Sequence, residues 1–273
     1  MHDIKDTMQA FLQYISYVPS DIRHSLITTL LHKMGIPYAH QVSRHARNII
    51  LFPENYSHGY NMIFTAHYDI VPGSCGANDN GAAIVILLMI ARHLVQNPDK
   101  NIMIAFLDRE ETGGIGCEMF LKNYKAGLIV NMDVCGCGDK IVICDETSVK
   151  NTYALYFRST MLQSFMESDA FPYCDGRHAE RMGFDVWSIS VFPEKDAVRM
   201  SEKRMTAAEK ERICNHEPDI GFLYKYLVHS LDINKYMHCG IYDDIKYINY
   251  DIMAQIYSYI LCTISLMETK IPC

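Results

Sequence analysis

Six residues that can bind metal ions or transfer protons lie in short polar motifs along the chain. They are His67, Asp79, Glu110, Glu111, Asp133 and His238. Imidazole and carboxylate groups are ligands that zinc prefers in hydrolytic sites, and Mn²⁺ or Co²⁺ can take a similar set. The residue types therefore suit a hydrolase with two metal ions, in which five ligands hold the metals and one carboxylate moves protons.

Asp79 is the residue that we expect to bridge the two ions. A carboxylate has two oxygens, so one side chain can contact both metals when they lie about 3.5–4 Å apart. Asp79 lies in the sequence Gly-Ala-Asn-Asp-Asn-Gly at 76–81, which can hold an unusual backbone close to the ions. A water acidified by both ions would then be the nucleophile, as a metal-bridging hydroxide.

The adjacent residues Glu110 and Glu111 can divide the remaining work. Because neighbouring side chains diverge, one carboxylate can bind a metal while the other faces the water. The second carboxylate would take the proton of the water and pass it to the leaving amine. Asp69 lies two residues after His67 on the same side of a strand, so it can accept the second imidazole N–H and fix the orientation of that ring.

Apolar segments of two kinds position these motifs. Strands are predicted at 48–52, 62–66, 101–107, 128–132 and 185–191, and helices at 4–16, 21–34, 81–95 and 248–267. Ser20 is a predicted N-cap. Strands alternating with helices predict one α/β domain over residues 1–273, built as a three-layer sandwich. His67, Glu110 and Asp133 each follow a predicted strand, where open α/β sheets gather their ligand sites.

The composition excludes several classes of partner. Hydrophobic residues make up 49% of the chain, charged residues make up 21%, and the net charge is −7. No basic cluster suits nucleic acid or a membrane surface, no apolar run is long enough to span a bilayer, and the N-terminus does not resemble a signal peptide. The ten cysteines of so long a chain do not indicate a disulfide scaffold. These features predict a cytoplasmic protein and leave its oligomeric state open. The metal ligands and the proton transfer to a leaving amine described above indicate a peptide or small amide as the substrate.

The segment 194–218 is the most charged part of the chain. A solvated surface helix is the simpler interpretation, and residues 206–209 fit a capping box. The alternative is an insertion that forms the rim of the active site.

In its motifs the chain resembles metallopeptidase family 28, the di-zinc exopeptidases that include bacterial leucyl aminopeptidases, glutamate carboxypeptidases and the related glutaminyl cyclases. The resemblance rests on residues 66–69, 76–81, 108–113 with Gly116, 131–133, 236–238 and 242–244. It implies a mixed, mostly parallel sheet of about eight strands with helices on both faces.

The resemblance also implies how two Zn²⁺ ions are bound. His67 and Asp133 would bind one ion. Glu111 and His238 would bind the other, and Asp79 would bridge both. A cis peptide bond is implied after Asp79.

Further roles follow from the same resemblance. Glu110 would be the general base and acid. Residues 174–175 resemble a Ser-Asp segment at the substrate pocket, which places Asp175 and Arg177 near the substrate. Many members have a tyrosine directly before the final histidine, where it can stabilise the oxyanion. Here Met237 takes that position, and Tyr236 is one residue further back.

The closing motif departs from the His-Thr-Pro of the family, because Cys239 and Gly240 follow His238. The last metal ligand could therefore be another histidine. The candidates are His178, His216 and His229.

A zinc aminopeptidase that removes N-terminal residues from peptides is the function that the complete ligand set favours. A glutaminyl cyclase-like acyltransferase with one zinc ion is an alternative. A carboxypeptidase or amide deacylase of the same clan is another, although the twelve residues from His67 to Asp79 are fewer than these relatives usually have. A binding protein on a degenerate peptidase fold would be expected to have lost ligands.

Overall fold

The computed structural model describes residues 2–52, 59–96, 101–169, 171, 173–202 and 231–269. The strands in these ranges are β1 (Tyr38–Val42), β2 (Arg47–Leu51), β3 (Tyr60–His67), β4 (Ile102–Leu107), β5 (Ala126–Met132), β6 (Lys140–Glu146), β7 (Met166–Glu167) and β8 (Val186–Phe192). The helices are α1 (His2–Ile15), α2 (Ser20–Lys33), α3 (Ala82–Leu94), α4 (Ile115–Leu121), α5 (Thr152–Thr160), α6 (Asp175–Arg181), α7 (Glu194–Glu202) and α8 (Tyr250–Thr269).

All these strands form one mixed sheet in the order β1-β2-β4-β3-β5-β8-β6-β7. Its centre is parallel, because β3 pairs in parallel with β4 and β5, and β5 pairs in parallel with β8. Antiparallel strands flank this centre, with β2 beside β4 and β6 beside β8. A mostly parallel sheet of eight strands confirms the predicted α/β fold class.

Alternate residues of β3 point to two separate hydrophobic cores. Met62 and Phe64 belong to the larger core, which includes the apolar helix α3 and much of α8. Ile63 points to the opposite face and belongs to a core with Phe120 of α4. Because side chains alternate between the faces of a strand, a strand covered on both sides is apolar throughout. The helices therefore form layers on both faces of the sheet.

The structure differs from the sequence predictions in several elements. Helix α2 begins at Ser20 itself, and the Ser20 hydroxyl accepts the N–H of Ile70 at 3.0 Å instead of capping the helix. Of the charged segment, 194–202 forms α7, whereas 203–218 and the predicted capping box lie outside the described residues. The single domain over 1–273 stays a prediction.

Within the described ranges, no helix is long and apolar enough to cross a membrane.

Candidate metal centre

Three neighbouring parallel strands bring the predicted ligands to one edge of the sheet. His67 is the last residue of β3, and Asp133 directly follows β5. Glu110 and Glu111 lie in the turn after β4, whose Leu107 is aligned with His67. The carboxyl ends of parallel strands meet at the same edge, so these side chains converge. The strand-end prediction from the sequence is confirmed in its geometry.

The first ligand group consists of His67, Asp79 and Asp133. Nε2 of His67 lies 3.1 Å from Oδ1 of Asp79 and 3.4 Å from Oδ1 of Asp133. All three residues are buried. Their ligand atoms are close enough together to bind one metal ion.

The second ligand group consists of Asp79, Glu111 and His238. Nε2 of His238 lies 2.9 Å from Oε2 of Glu111 and 3.7 Å from Oδ2 of Asp79. Asp79 therefore directs one carboxylate oxygen to each group. His238 reaches the site from a loop near the C-terminus, and its side chain is half-exposed.

The residues of both groups fit a pair of metal ions. Oδ1 of Asp133 is buried and accepts no hydrogen bond. Burial raises the pKa of Asp133 and of Glu111, and the nearby charge of Asp79 raises both further. Buried carboxylates crowded in this way are costly unless cations neutralise them. Carboxylate and imidazole ligands in this number are those of zinc sites.

Glu110 lies beside the ligands, and its carboxylate forms a further close group with His67 and Glu111. Burial raises the pKa of Glu110 well above its usual range, and the carboxylates of Asp175 and Asp133 raise it further. Bound cations would favour the ionised form of this carboxyl group. Glu110 can then accept a proton at the edge of the site.

Asp69 supports three residues of the site. Its carboxylate oxygens accept the backbone N–H of Glu110 and of Glu111, each at 3.1 Å. Nδ1 of His67 lies 3.2 Å from the Asp69 backbone oxygen and 3.5 Å from its Oδ1. The imidazole of His67 therefore contacts the backbone carbonyl of Asp69 as well as the carboxylate that was predicted to contact it. The hydrogen bonds from the amides of Glu110 and Glu111 to Asp69 were not predicted from the sequence.

The loop that carries Asp79 is a tight turn at Ala77–Gly81 with a cis peptide bond between Asp79 and Asn80. Oδ1 of Asn78 accepts the N–H of Gly136 and of Cys137, each at 2.8 Å. Nδ2 of Asn80 donates to the carbonyl of Met132 at 2.9 Å. Both asparagines thus fasten this loop to the segment around Asp133.

A cleft of about 280 Å³ opens onto the ligands. It is lined by Asp79, Glu110, Glu111, Gly113, Asp133, Tyr173, Ile233, Asn234, Met237 and His238. Three of these residues were not predicted from the sequence, because only the folded chain brings their loops to the ligands. They are Tyr173, Ile233 and Asn234.

Two predicted substrate-binding residues are buried outside the residues that line the cleft. Arg177 forms ion pairs with Glu146 at 3.1 Å and Glu180 at 2.8 Å. Both carboxylate oxygens of Asp175 are buried without a hydrogen bond, and burial raises the pKa of Asp175 to about 7. Asp175 is thus close enough to influence the charge of Glu110, whereas Arg177 is engaged with other side chains.

Tyr236 is not among the described residues that line the cleft. Its side chain is buried, and its hydroxyl donates a hydrogen bond to Oδ2 of Asp196 at 2.5 Å. Among the other histidine candidates, His178 is buried against Gly114 and belongs to none of the ligand groups of the described residues. His216 and His229 lie outside the described residues.

The chain is similar in sequence to two kinds of protease. Over 164 residues it is 24% identical to a vacuolar membrane protease of Eremothecium gossypii, an alignment of 56% of this chain and 16% of that protein. Over 163 residues it is 29% identical to aminopeptidase YwaD of Bacillus subtilis, covering 57% of this chain and 33% of that protein. The chain spans a minor part of the length of these relatives. The predicted cytoplasmic location stays a prediction, because the vacuolar relatives do not support it.

Solved structures share the fold. A zinc aminopeptidase from Bacillus subtilis matches with a TM-score of 0.56 and 19% identity, over 80% of this chain and 49% of that chain. A glutaminyl cyclase of Porphyromonas gingivalis matches with a TM-score of 0.62 and 16% identity, over 96% of this chain and 98% of that chain. The sequence profile described as peptidase family M28 matches residues 48–264, which is more than half of the chain. The chain belongs to peptidase family M28.

Proposed function

We propose that the protein is a two-zinc aminopeptidase that hydrolyses N-terminal residues from peptides. One observation carries this proposal: the two oxygens of Asp79 face two different ligand groups, one with His67 and Asp133, the other with Glu111 and His238. A shared carboxylate between two such groups is what a pair of metal ions requires. Aminopeptidases among the related proteins support the same reaction class.

The chain's own residues would divide the reaction between them. When bound, the ions would supply Lewis-acid activation of a water molecule near neutral pH. Glu110 would take the proton of that water and deliver it to the leaving amine, which is general base and then general acid catalysis. The bonds from Asp69 to the backbone of Glu110 and Glu111 would hold the base and the neighbouring ligand at a fixed separation.

The charge of the cleft favours a substrate with a free amino group. Among the described residues that line it, none is Lys or Arg, and four are carboxylates. Among the described residues of the lining, a free carboxylate at the C-terminus of a peptide would find no fixed cation except the metals. Asp79, Glu111 and Asp133 would be neutralised by the ions, so Glu110 is the carboxylate left to attract an N-terminal ammonium. We therefore propose that the site holds the N-terminal end of the peptide.

A glutaminyl cyclase is the second candidate, because the cyclase structure matches nearly the full length of both chains. A cyclase of this kind would need no hydrolysis and would release ammonia from N-terminal glutamine.

A defined set of peptides separates these functions. Each sequence is supplied in three forms, with both ends free, with the N-terminus acetylated, and with the C-terminus amidated, and one member begins with Gln. We expect mass spectrometry to show stepwise N-terminal shortening of the free and amidated forms only. Shortening from the C-terminus, or loss of ammonia without shortening, would contradict the proposal.

A further inference from the structure

We infer that Asp243 is a positioning residue that holds the Asp79 loop in the geometry required to bridge two metal ions. This inference rests on the proposed function, because it concerns the same metal site. Asp243 is only 2% exposed and comes from the segment that follows His238. It lies about a hundred and sixty residues along the chain from the loop that it contacts.

The carboxylate of Asp243 binds the Asp79 loop through three backbone amides. Its Oδ2 accepts the N–H of Gly76 at 2.9 Å. Its Oδ1 accepts the N–H of Asn78 at 2.8 Å and that of Asp79 itself at 3.1 Å. Both oxygens are therefore used within the turn that orients the bridging carboxylate. Hydrogen bonds from backbone amides to an ionised carboxylate are among the stronger ones in proteins.

Ser74 connects the Asp243 carboxylate to the loop that carries the metal ligand His238. Its hydroxyl donates to Oδ2 of Asp243 and accepts the N–H of Cys239 at 3.2 Å. Cys239 directly follows His238. One hydrogen-bonded group thus joins the backbone beside His238 to the backbone beside Asp79.

The backbone at His238 needs such support. His238 and Cys239 have φ values of 47° and 48°, so two successive non-glycine residues adopt the left-handed region. Such residues are costly and persist where surrounding contacts hold them. The bonds of Ser74 and Asp243 supply contacts of that kind, and they fix the distance between the His238 loop and the Asp79 loop.

Arg23 of α2 holds the same loop from its other side. Its side chain is fully buried, with Nη2 donating to the carbonyl of Gly76 at 2.6 Å and Nε donating to the carbonyl of Ile15 at 2.9 Å. The loop therefore lies between a buried carboxylate that accepts its amides and a buried guanidinium that binds its carbonyl. Burial of the Asp243 carboxylate is costly, and its hydrogen bonds to the amides of the Asp79 loop offset part of that cost.

The test is the zinc affinity of Asp243→Asn, measured by competition with a chromophoric chelator. In this variant one oxygen becomes an NH₂ group that faces the N–H of Gly76, so the amide contacts cannot all form. We expect the affinity to fall about 10–100-fold, as is typical for residues that orient metal ligands. The visible spectrum of the Co²⁺-loaded variant should change as well, because the arrangement of the ligands changes.

Asp244→Asn is the matched control. Asp244 is the next residue, and it accepts the N–H of Lys246 at 3.1 Å without contacting the Asp79 loop. Its zinc affinity and Co²⁺ spectrum should equal those of the wild type. Ser74→Ala leaves the three amide contacts in place, and it should lower the affinity by less than Asp243→Asn does. If Asp243→Asn does not fold, the zinc affinity of Ser74→Ala is measured in its place.

The outcomes separate the inference from the proposed function. A wild type that binds no zinc would overturn both. A wild type that binds zinc, together with an Asp243→Asn variant of unchanged affinity and spectrum, would overturn the inference alone. If Asp243→Asn does not fold, an unchanged Ser74→Ala variant would overturn it.

Discussion

The carboxylate of Asp69 accepts the backbone N–H of Glu110 at 3.1 Å, although 41 residues separate them in the chain. The loop after β3 thereby fixes the loop after β4. The second carboxylate oxygen of Asp69 accepts the N–H of Glu111 at the same distance. The proton-transfer residue and a metal ligand are thus positioned by one carboxylate, which links the geometry of the base to that of the metals.

Replacing Asp69 by Asn should weaken the site. The amide group would present a donor to one of the two backbone N–H groups, so the turn at 110–111 would shift. We expect activity and zinc affinity to fall about 10–100-fold. Asp139→Asn is a suitable control, because Asp139 accepts the N–H of Glu194 at the surface. Equal zinc affinity in the two variants would contradict the role of Asp69.

Replacing Glu110 by Gln should remove the base while the metal site stays intact. A glutamine side chain cannot take a proton from water, so we expect kcat to fall by about 10²–10⁴ or more. Zinc content should remain that of the wild type, as measured by elemental analysis. The control is Glu118→Gln, at an exposed residue of α4 that pairs with Lys122. Retained activity in Glu110→Gln would show that another group moves the proton.

Replacing His238 by Ala should remove one metal ion and leave the other. His238 contacts Glu111 and Asp79, whereas the group of His67, Asp79 and Asp133 would be complete without it. Zinc per protein should therefore fall from two to one. His178→Ala should keep both ions. The opposite pattern would make His178 the ligand and His238 a bystander.

Acid should destabilise the fold in part through His24. Burial lowers the pKa of His24 to about 4, and the nearby charges of Arg47 and His40 lower it further. The unfolded chain would bind this proton near pH 6.5, so the stability is fully present above that pH and falls as the pH drops towards 4. Between pH 7 and 4.5 the loss from this residue is about 2 kcal/mol.

The matched variant for this prediction is His24→Phe, which keeps an aromatic ring against His40 and Tyr68. Urea unfolding at both pH values should show a smaller loss in the variant than in the wild type. The same pH dependence in both proteins would mean that other groups account for it.

Apolar patterning predicted the parts of the fold that place the ligands. Strands β3, β4 and β5 are buried on both faces, so their sequences are continuous apolar runs that end at polar motifs. Among the strands that were not predicted, β1 lies at the edge of the sheet and is only partly buried, so its pattern is weak. Strand β6 has four consecutive buried residues, as β2 has, so its apolar run does carry a signal that could have been found.

Contacts between distant parts of the chain could not be predicted. The bonds of Asp243 to Asn78 and Asp79 depend on how the last loop docks, and a lone aspartate carries no local signal of that. Tyr236 illustrates the same point, because its hydroxyl is bound by Asp196 of α7. Residue types identified the candidate ligands, whereas only the folded chain shows which polar groups hold them.

The number of zinc ions bound by the intact protein tests the central claim most directly. Native mass spectrometry of the zinc-loaded wild type should show two ions, because Asp79 faces two ligand groups. Asp79→Ala should lose the second ion and bind the first more weakly. One ion in the wild type would contradict the two-metal site and favour a cyclase-like centre, and no bound zinc would contradict a metal-dependent peptidase altogether.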